Sequence, residues 1–286
     1  MKELSSCKQA MENCMNSETF AVAHLYKEEK AMDMHVHDCL EIYYSISGGR
    51  QFLIDNKLYN ISPGDLFIIN QYESHCLTQV DKMVHERIVI SVHPDFIKAL
   101  STEETNLGAC FTERGPGFSH RLSLSKEQQQ RFLYLINKIT GANDYAHDVI
   151  ERAAFAEMLI LINSVCMKTE EEKETYPVGK YNRQVDEILA YINRNISGPI
   201  SVAALSEKFF LSESYICRIF KAATGTTITK YVTARRITIA KAMLGEGKSV
   251  GETFEQSGFA DYSSFFKVFT KTVGISPKKY AQYSNS

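Results

Sequence analysis

The chain has 286 residues and a formal net charge of −2 at pH 7, and 44% of its residues are hydrophobic while 23% are charged. This length allows two ordinary domains, each with its own core, and this composition excludes an intrinsically disordered chain. No apolar run approaches the roughly 20 residues that a membrane-spanning helix needs, and the N-terminus lacks the apolar segment of a secretory signal. We therefore expect a cytoplasmic protein with no membrane partner.

The cysteines are scattered along the chain and include no C-x-x-C pair. An odd number, seven, at such spacing argues against both a disulfide framework and a cysteine-rich zinc module. We expect these residues to act as small, buried apolar side chains.

Short apolar stretches alternate with turn signals between residues 20 and 100, which predicts β-strands. The stretches are 41–47, 51–54, 65–69 and 87–92, and the turn signals are Gly48-Gly49, Asp55-Asn56 and Ser62-Pro63-Gly64-Asp65. Many short strands at this spacing are typical of a sandwich or a barrel. Residues 101–120 contain Gly115-Pro116-Gly117 and are expected to be loop, so we place the β domain at 1–120.

The segment His35-x-His37-x-x-x-Glu41 resembles the first motif of cupin barrels, and His75 stands near the place of the histidine in the second motif. Residues 35, 37 and 41 have the same parity, so on one extended strand they share a face. The second motif normally has a proline shortly before its histidine, and here Gln71 stands in that place.

Three roles remain open for this cluster: ligands of a divalent metal, the lining of a small-molecule pocket, or ordinary satisfied side chains. No cofactor is expected, although the pattern allows a divalent metal. The candidate metal ligands are His35, His37, Glu41 and His75. The candidate effector-binding residues are His35, His37, Glu41, Arg50 and His75, with Tyr44 as an aromatic wall if a bulge brings it to the same face.

Residues 121–168 have a helical rather than a strand period. Apolar residues recur at three and four positions, in one stripe from Phe132 to Ile139 and a second from Ile150 to Val165. One barrel would not fully cover both stripes, so we expect this segment to support a homodimer. The charged residues 169–181, which contain Pro177 and Gly179, are expected to be an interdomain linker.

The last third of the chain is basic. Residues 178–286 carry +7, from 15 Lys/Arg and 8 Asp/Glu, whereas residues 1–177 carry −9. A basic segment beside an acidic remainder suggests a nucleic-acid surface at one end of the chain.

This basic segment contains a repeat, because residues 201–231 and 249–280 resemble each other. The matching pairs, each 49 positions apart, are Ser212 and Asp261, Phe220 and Phe269, Gly225 and Gly274, and Tyr231 and Tyr280. Each copy is predicted to be a helix, a short turn and a second helix that begins at Ser212 or Asp261. We expect a capping box at Ser249 and Glu252, and a long joining helix from Ile228 to Leu244 that ends at Gly245 and Gly247.

The run SYICRIFKAATG, with Arg236-Ile237-x-x-Ala240, Gly258-Phe259-x-Asp261 and Gly274-x-x-Pro277-x-x-Tyr280, resembles the DNA-binding domain of AraC/XylS-type regulators. The resemblance covers about the last 105 residues. It implies two recognition helices in successive major grooves, about 34 Å apart, and regulators of this type commonly carry a cupin-like N-terminal domain.

Two positions depart from the family pattern. Thr253 and Phe254 replace an apolar–alanine pair, so Phe254 must swing aside or push the helices apart. Lys267 replaces an arginine and lacks the fork that binds guanine through two hydrogen bonds. We therefore expect the first unit, which keeps Arg218, to be the stronger reader of DNA.

On each recognition helix, the apolar positions at helical spacing are expected to be buried, and the other positions can face DNA. The candidate DNA-binding residues are Ser214, Cys217, Arg218 and Lys221 in the first unit, and Tyr262, Ser263, Phe266 and Lys267 in the second. Arg235, Lys271, Lys278 and Lys279 are expected to bind phosphate or to be solvated, whereas Arg236 is expected to fix helix ends.

The sequence thus predicts a cupin-like β-barrel (1–120), a helical dimerisation segment (121–168), a linker (169–181) and an all-α domain of two helix-turn-helix units (182–286). The expected function is transcription control in response to a carbohydrate or another metabolite, and the family resemblance favours activation over repression. The expected partners are double-stranded DNA, the effector, a second copy of the chain and, for an activator, RNA polymerase. The alternatives are a metal-responsive regulator and a cupin metalloenzyme with a helical appendage.

Overall fold

A computed structural model describes residues 4–27, 34–47, 51–55, 57–79, 85–114, 118–141, 145–169 and 180–284. The β domain contains α1 (Cys7–Ser17), β1 (Phe20–Lys27), β2 (Leu40–Ser47), β3 (Gln51–Ile54), β4 (Lys57–Asn60), β5 (Asp65–Ile69), β6 (His75–Gln79), β7 (His85–Val92), α2 (Pro94–Leu100), α3 (Ala109–Thr112) and β8 (Arg121–Ser123). The helices that follow are α4 (Lys126–Thr140), α5 (His147–Thr169), α6 (Lys180–Arg194), α7 (Val202–Phe209), α8 (Glu213–Thr224), α9 (Ile228–Gly245), α10 (Val250–Ser257), α11 (Tyr262–Val273) and α12 (Pro277–Ser284).

The described strands form two antiparallel sheets, which confirms the predicted β domain. The larger sheet has the order β1-β7-β2-β5-β8, and the smaller has the order β4-β3-β6. Side chains from both sheets pack together between them, with the ring of Phe52 edge-on to that of Phe67 and close to that of Tyr43. Helix α1 was not predicted from the sequence; it packs on this core through Ala10 and Cys14.

Helices α4 and α5 cover the outer face of the larger sheet. Phe132 of α4 lies against Tyr44, with ring centroids 4.8 Å apart, and Phe155 of α5 stacks on Phe20 at 4.2 Å. Apart from the exposed Ile150 and the partly buried Leu161, the two apolar stripes are buried within the domain, so the reason we gave for a dimer is wrong. Tyr44 belongs to this outer core and is not a wall of the histidine cluster, because β2 carries no bulge between residues 41 and 44.

The helices on either side of the predicted linker, 169–181, extend slightly into it. Helix α5 continues to Thr169 and α6 begins at Lys180, whereas residues 170–179 of the predicted linker lie outside the described residues. In the described part of the chain, no helix combines the length and apolar character that crossing a membrane requires.

The repeat is confirmed as two helix-turn-helix units with matching cores. Phe220 lies edge-on to Tyr231 at 5.6 Å in the first unit, and Phe269 lies edge-on to Tyr280 at 5.7 Å in the second. The predicted caps are also present: the side chains of Ser212 and Asp261 accept hydrogen bonds from the third residue of α8 and of α11, and Ser249 and Glu252 form a capping box. The joining helix α9 ends at Gly245, and Gly247 has a φ of 85°.

Phe254 resolves its conflict with the family pattern by swinging aside. Thr253 takes the buried position between the helices, whereas Phe254 is half-buried, with its ring 5.5 Å from that of Tyr262. The close approach of the helices is thus kept by the smaller side chain.

Candidate DNA-reading surface and effector site

The recognition helices α8 and α11 present their predicted reading faces to solvent. All eight candidate DNA-binding residues are exposed: Ser214, Cys217, Arg218, Lys221, Tyr262, Ser263, Phe266 and Lys267. Ile216, Ile219 and Phe220 on α8, and Phe265 and Phe269 on α11, point into the two cores instead. The exposure of Cys217 departs from our expectation that the cysteines are buried, and it follows from the same helical period.

The exposed side chains differ in how far they are held in place. The Arg218 guanidinium lies 5.3 Å from the ring of Tyr215, a contact that restrains it on the surface of α8. Tyr262 and Phe266 lie side by side with ring centroids 6.3 Å apart, so the second unit offers an aromatic surface beside Lys267. Aromatic rings can contact thymine methyl groups, whereas restrained arginine suits guanine.

Two neighbouring arginines of α9 have different structural roles, and neither lies free on the surface. Arg236 donates hydrogen bonds to the carbonyls of Ile196 (3.1 Å) and Gly198 (2.7 Å), which confirms its expected role in fixing helix ends. Arg235 forms an ion pair with Asp55 of the β domain and donates to Asn193 at 2.8 Å. Our expectation that Arg235 is solvated or binds phosphate is therefore wrong in this structure, because its guanidinium is bound by Asp55 of the β domain.

His35, His37, Glu41 and His75 converge at one end of the β domain, as their spacing predicted. His35, in the segment that precedes β2, forms a backbone bridge with His75 at the start of β6, and their ring centroids lie 4.2 Å apart. One nitrogen from each of the three histidines lies within 4.8 Å of the others. Glu41 contacts two of them, with its Oε2 3.0 Å from His37 Nε2 and 3.8 Å from His75 Nε2. The fifth candidate, Arg50, lies outside the described residues.

Backbone carbonyls orient two of these rings. His37 Nδ1 lies 2.9 Å from the carbonyl of Cys39, and His75 Nδ1 lies 2.9 Å from that of Glu73. Because a carbonyl only accepts, each Nδ1 carries the proton and each Nε2 faces the cluster. Among the described residues, His75 Nε2 is buried and has no hydrogen-bond partner.

Burial and mutual contacts shift the pKa values of the cluster in opposite directions. Burial lowers the pKa of His75 to about 3. Burial opposes charge on the other two as well. The hydrogen bonds of His37 with Cys39 and Glu41 outweigh this effect and hold the pKa of His37 well above its usual value. The hydrogen bond with His37 and the nearby His75 lower the pKa of Glu41 to about 2. The apolar surroundings therefore contain an imidazolium–carboxylate pair beside a neutral histidine.

A cavity of about 690 Å³ opens from this cluster toward the helical domain. Its lining comes from α1, from the segment that leads into β2, and from α9 and α11. The lining residues are Met11, Glu12, Met15, Asn16, Met34, His35, Val36, His37, Asp38, Cys39, Ala234, Lys241, Thr272 and Val273. This volume suits one small ligand, and such a ligand would touch both domains.

The β domain and the helical domain also meet through two aspartates that sequence reasoning did not select. Asp38 binds Lys241 and Tyr280, and Asp55 binds Arg235 and Tyr231. Asp55-Asn56 was noted only as a turn signal. Its partner Arg235 lies 180 positions away, and no local sequence pattern predicts a contact at that separation.

Comparison with known proteins agrees with this division of the chain. Residues 19–137 match a family model described as an AraC-like ligand binding domain, and residues 205–283 match one described as a helix-turn-helix domain. The HTH-type transcriptional activators RhaR of Salmonella arizonae and Salmonella heidelberg are 22% and 23% identical to the chain over 260 residues, which are 88% of this chain and 87% of each relative.

Solved structures give two further likenesses. ToxT from Vibrio cholerae is 15% identical, and the alignment covers 92% of this chain and 98% of that chain with a TM-score of 0.38. The C-terminal domain of the two-component response regulator yesN from Fusobacterium nucleatum is 30% identical over 35% of this chain and 98% of that chain, with a TM-score of 0.33. The two matched domains in this order, together with the paired helix-turn-helix units, identify the chain as a DNA-binding transcription regulator of the AraC family with an N-terminal ligand-binding domain.

Proposed function

We propose that this regulator is a transcriptional activator whose effector binds in the cavity between the histidine cluster and α9. The proposal rests on the lining of this cavity. Its volume is about 690 Å³, and it is lined both by His35 and His37 of the β domain and by Ala234 and Lys241 of the DNA-binding domain. A ligand in it contacts both domains and can therefore favour one arrangement of them over another. The Salmonella relatives are named transcriptional activators, which supports activation through RNA polymerase.

The lining also indicates the class of ligand. Three methionines, Met11, Met15 and Met34, supply flexible apolar walls that adapt to irregular shapes. The imidazole of His35 and the side chains of Glu12, Asn16 and Thr272 supply polar groups between these walls. A metabolite with an apolar body and a few hydroxyl or amino groups fits this lining better than a sugar that is polar on every side.

A thermal-shift screen of metabolites tests this proposal on the full-length chain, with His35→Ala as the matched variant. A true effector is expected to raise the melting temperature of the wild type and to lose this effect in the variant. The same compound should then change operator occupancy in a DNA-binding assay. A compound that stabilises both proteins equally binds elsewhere and contradicts the assigned site.

A divalent metal is the second candidate ligand, and one observation favours it. His75 Nε2 is buried and has no hydrogen-bond partner in the described part of the chain, and both His37 and His75 have their Nδ1 protons held by backbone carbonyls. Carbonyl-bound Nδ1 atoms commonly orient metal-binding histidines through Nε2. His35, His37, His75 and Glu41 would hold the ion, which would supply an electrostatic cross-link rather than catalysis.

Elemental analysis of purified protein, followed by calorimetric titration with Zn²⁺, Ni²⁺ and Mn²⁺, separates the two ligands. Metal sensing predicts about one bound ion for each chain and loss of binding in His75→Ala. The metalloenzyme alternative receives no support from the relatives, which are named as transcription regulators.

We also propose that the chain forms a homodimer through the outward face of α5. Val149, Ala153, Ile160 and Met167 are exposed and recur at spacings that place them on one side of the helix. This stripe is distinct from the buried stripe of Ala154, Phe155 and Met158, which the sheet covers. An apolar stripe of several turns is typical of a helix that packs on a second copy.

A further inference from the structure

Asp55 of the β domain holds the first helix-turn-helix unit. Its carboxylate pairs with Arg235 of α9, and its backbone carbonyl accepts a 2.7 Å hydrogen bond from the Tyr231 hydroxyl. Tyr231 is fully buried and packs edge-on against Phe220 in the core of that unit. The contact therefore ties the β domain to the core of the first unit rather than to a loose side chain on its surface.

Asp38 holds the second unit in the same way. Its carboxylate lies 2.5 Å from Lys241 Nζ and accepts a 3.0 Å hydrogen bond from the Tyr280 hydroxyl. Tyr280 packs edge-on against Phe269 in the core of the second unit, at the position that Tyr231 takes in the first. The ammonium group of Lys241 is buried between the rings of Tyr72 and Tyr280, at 5.5 Å from each.

Short backbone links join both aspartates to the histidine cluster. Asp38 directly follows His37, whose carbonyl accepts a 3.0 Å hydrogen bond from the Tyr72 amide. Asp55 donates its amide proton to the Ser74 carbonyl at 2.7 Å, and its carboxylate accepts from the Ser74 amide at 3.1 Å. Since Ser74 directly precedes His75, a displacement of either histidine acts on one of the two aspartates.

We propose that Asp38 and Asp55 are positioning residues that set the spacing and angle between the recognition helices α8 and α11. Asp55 binds the N-terminal half of the joining helix α9 with the core tyrosine of the first unit, and Asp38 binds the C-terminal half of α9 with the core tyrosine of the second unit. The β domain therefore acts on both units at once and can set how they lie relative to each other. Since two recognition helices that enter successive major grooves must lie about 34 Å apart, the relative placement of α8 and α11 determines which separation of half-sites binds best. A ligand at the histidine cluster alters this separation through the two aspartates; this second step rests on the proposed function.

Asparagine substitutions test the positioning role in the full-length chain. Asp38→Asn and Asp55→Asn remove the charges with little change of size, and asparagine tolerates the φ of 52° at position 55. The probe is the duplex that the wild type selects from randomised DNA, together with versions whose half-sites are moved apart or together by one base pair. Asp95→Asn, an exposed acid at the edge of a second groove between the same two domains, is the control.

The wild type and the control are expected to prefer the selected spacing by about tenfold or more, a difference typical of one misplaced contact. The double variant is expected to bind all spacings within about threefold of one another, while keeping its affinity for a duplex with one half-site. A merely structural role would weaken every duplex alike. An unchanged spacing preference in the double variant overturns the proposal.

The reciprocal exchange Asp55→Arg with Arg235→Asp covers the case in which the double variant does not fold. It is expected to restore the spacing preference that Arg235→Asp alone loses, and failure to restore it counts against the ion pair. Glu41→Gln, which disturbs the cluster, tests the second step: it should shift the preferred spacing in the wild type but not in the double asparagine variant. If Glu41→Gln shifts the preferred spacing equally in the wild type and in the double asparagine variant, the link between the cluster and the aspartates is overturned. The positioning role of the aspartates is then judged by the spacing assay alone.

Failure of the proposed function has a different signature. If no metabolite or metal stabilises the wild type, the effector assignment fails, whereas the spacing assay still reports on Asp38 and Asp55 without any ligand.

Discussion

Gly258 and Arg236 meet where the two helix-turn-helix units join: a β-carbon added at Gly258 would lie 3.0 Å from Arg236 Nε, 2.8 Å from Ser197 Cα and 2.4 Å from the Ile196 carbonyl oxygen. Arg236 holds that same carbonyl by a hydrogen bond. The turn that follows α6, the joining helix α9 and the turn of the second unit therefore meet with no space for a side chain.

We predict that Gly258→Ala destabilises the protein by about 2–4 kcal/mol, because its φ of 85° strains an L-residue and the added methyl meets backbone atoms that cannot move aside. Chemical denaturation of the full-length chain measures the change. Gly251→Ala in the preceding helix is the control, since its β-carbon would have no atom within 4 Å and helical alanine is favoured over glycine. A loss of similar size in both variants would contradict the packing argument.

We predict that Arg218→Ala weakens binding to the selected operator by about 1–3 kcal/mol, as expected for the loss of a contact to a base edge. Its guanidinium is exposed on α8 and restrained by Tyr215. Lys279→Ala, at an exposed basic position in α12, should weaken binding to specific and to nonspecific DNA about equally and only slightly. Titration of each variant with operator DNA at one fixed salt concentration compares the two. Wild-type affinity in Arg218→Ala would show that Arg218 does not contact a base.

We predict that Glu41→Ala lowers the free energy of unfolding by about 1.5–3 kcal/mol, because it removes the buried hydrogen-bonded partner of His37, which then loses its proton. The pair between His24 and Glu86 has a similar distance, 2.9 Å, but is partly exposed. Glu86→Ala is therefore expected to cost about 1 kcal/mol or less. Thermal and urea denaturation of both variants test the contrast, and equal losses would show that burial of the cluster contributes nothing to its stability.

We predict that Ile160→Glu converts a dimer of the full-length chain to a monomer, because it places a charge in the centre of the exposed apolar stripe of α5. Gln130→Glu adds the same charge at an exposed position of α4, away from this stripe, and should leave the dimer intact. Sedimentation equilibrium measures both. A wild-type protein that stays monomeric at high micromolar concentration would overturn the assignment of this surface.

Local signals in the sequence were sufficient for the helical domain. Ser212, Asp261 and Ser249 begin helices because their side chains satisfy free amide groups, and Gly258 ends one because it accepts a left-handed conformation. These effects act within four residues, so they can be read along the chain. The same holds for the shared face of His35, His37 and Glu41, which follows from strand alternation.

Only the tertiary structure decided which surfaces these elements cover. The apolar stripe of α4 looked available for a partner, yet the sheet buries it, and Tyr44 faces that helix rather than the cluster. Arg235 looked like a phosphate contact, yet Asp55 binds it from 180 positions away. Sequence period fixes which side of a helix is apolar or charged, whereas the identity of its neighbour depends on contacts between distant segments, which no local pattern records.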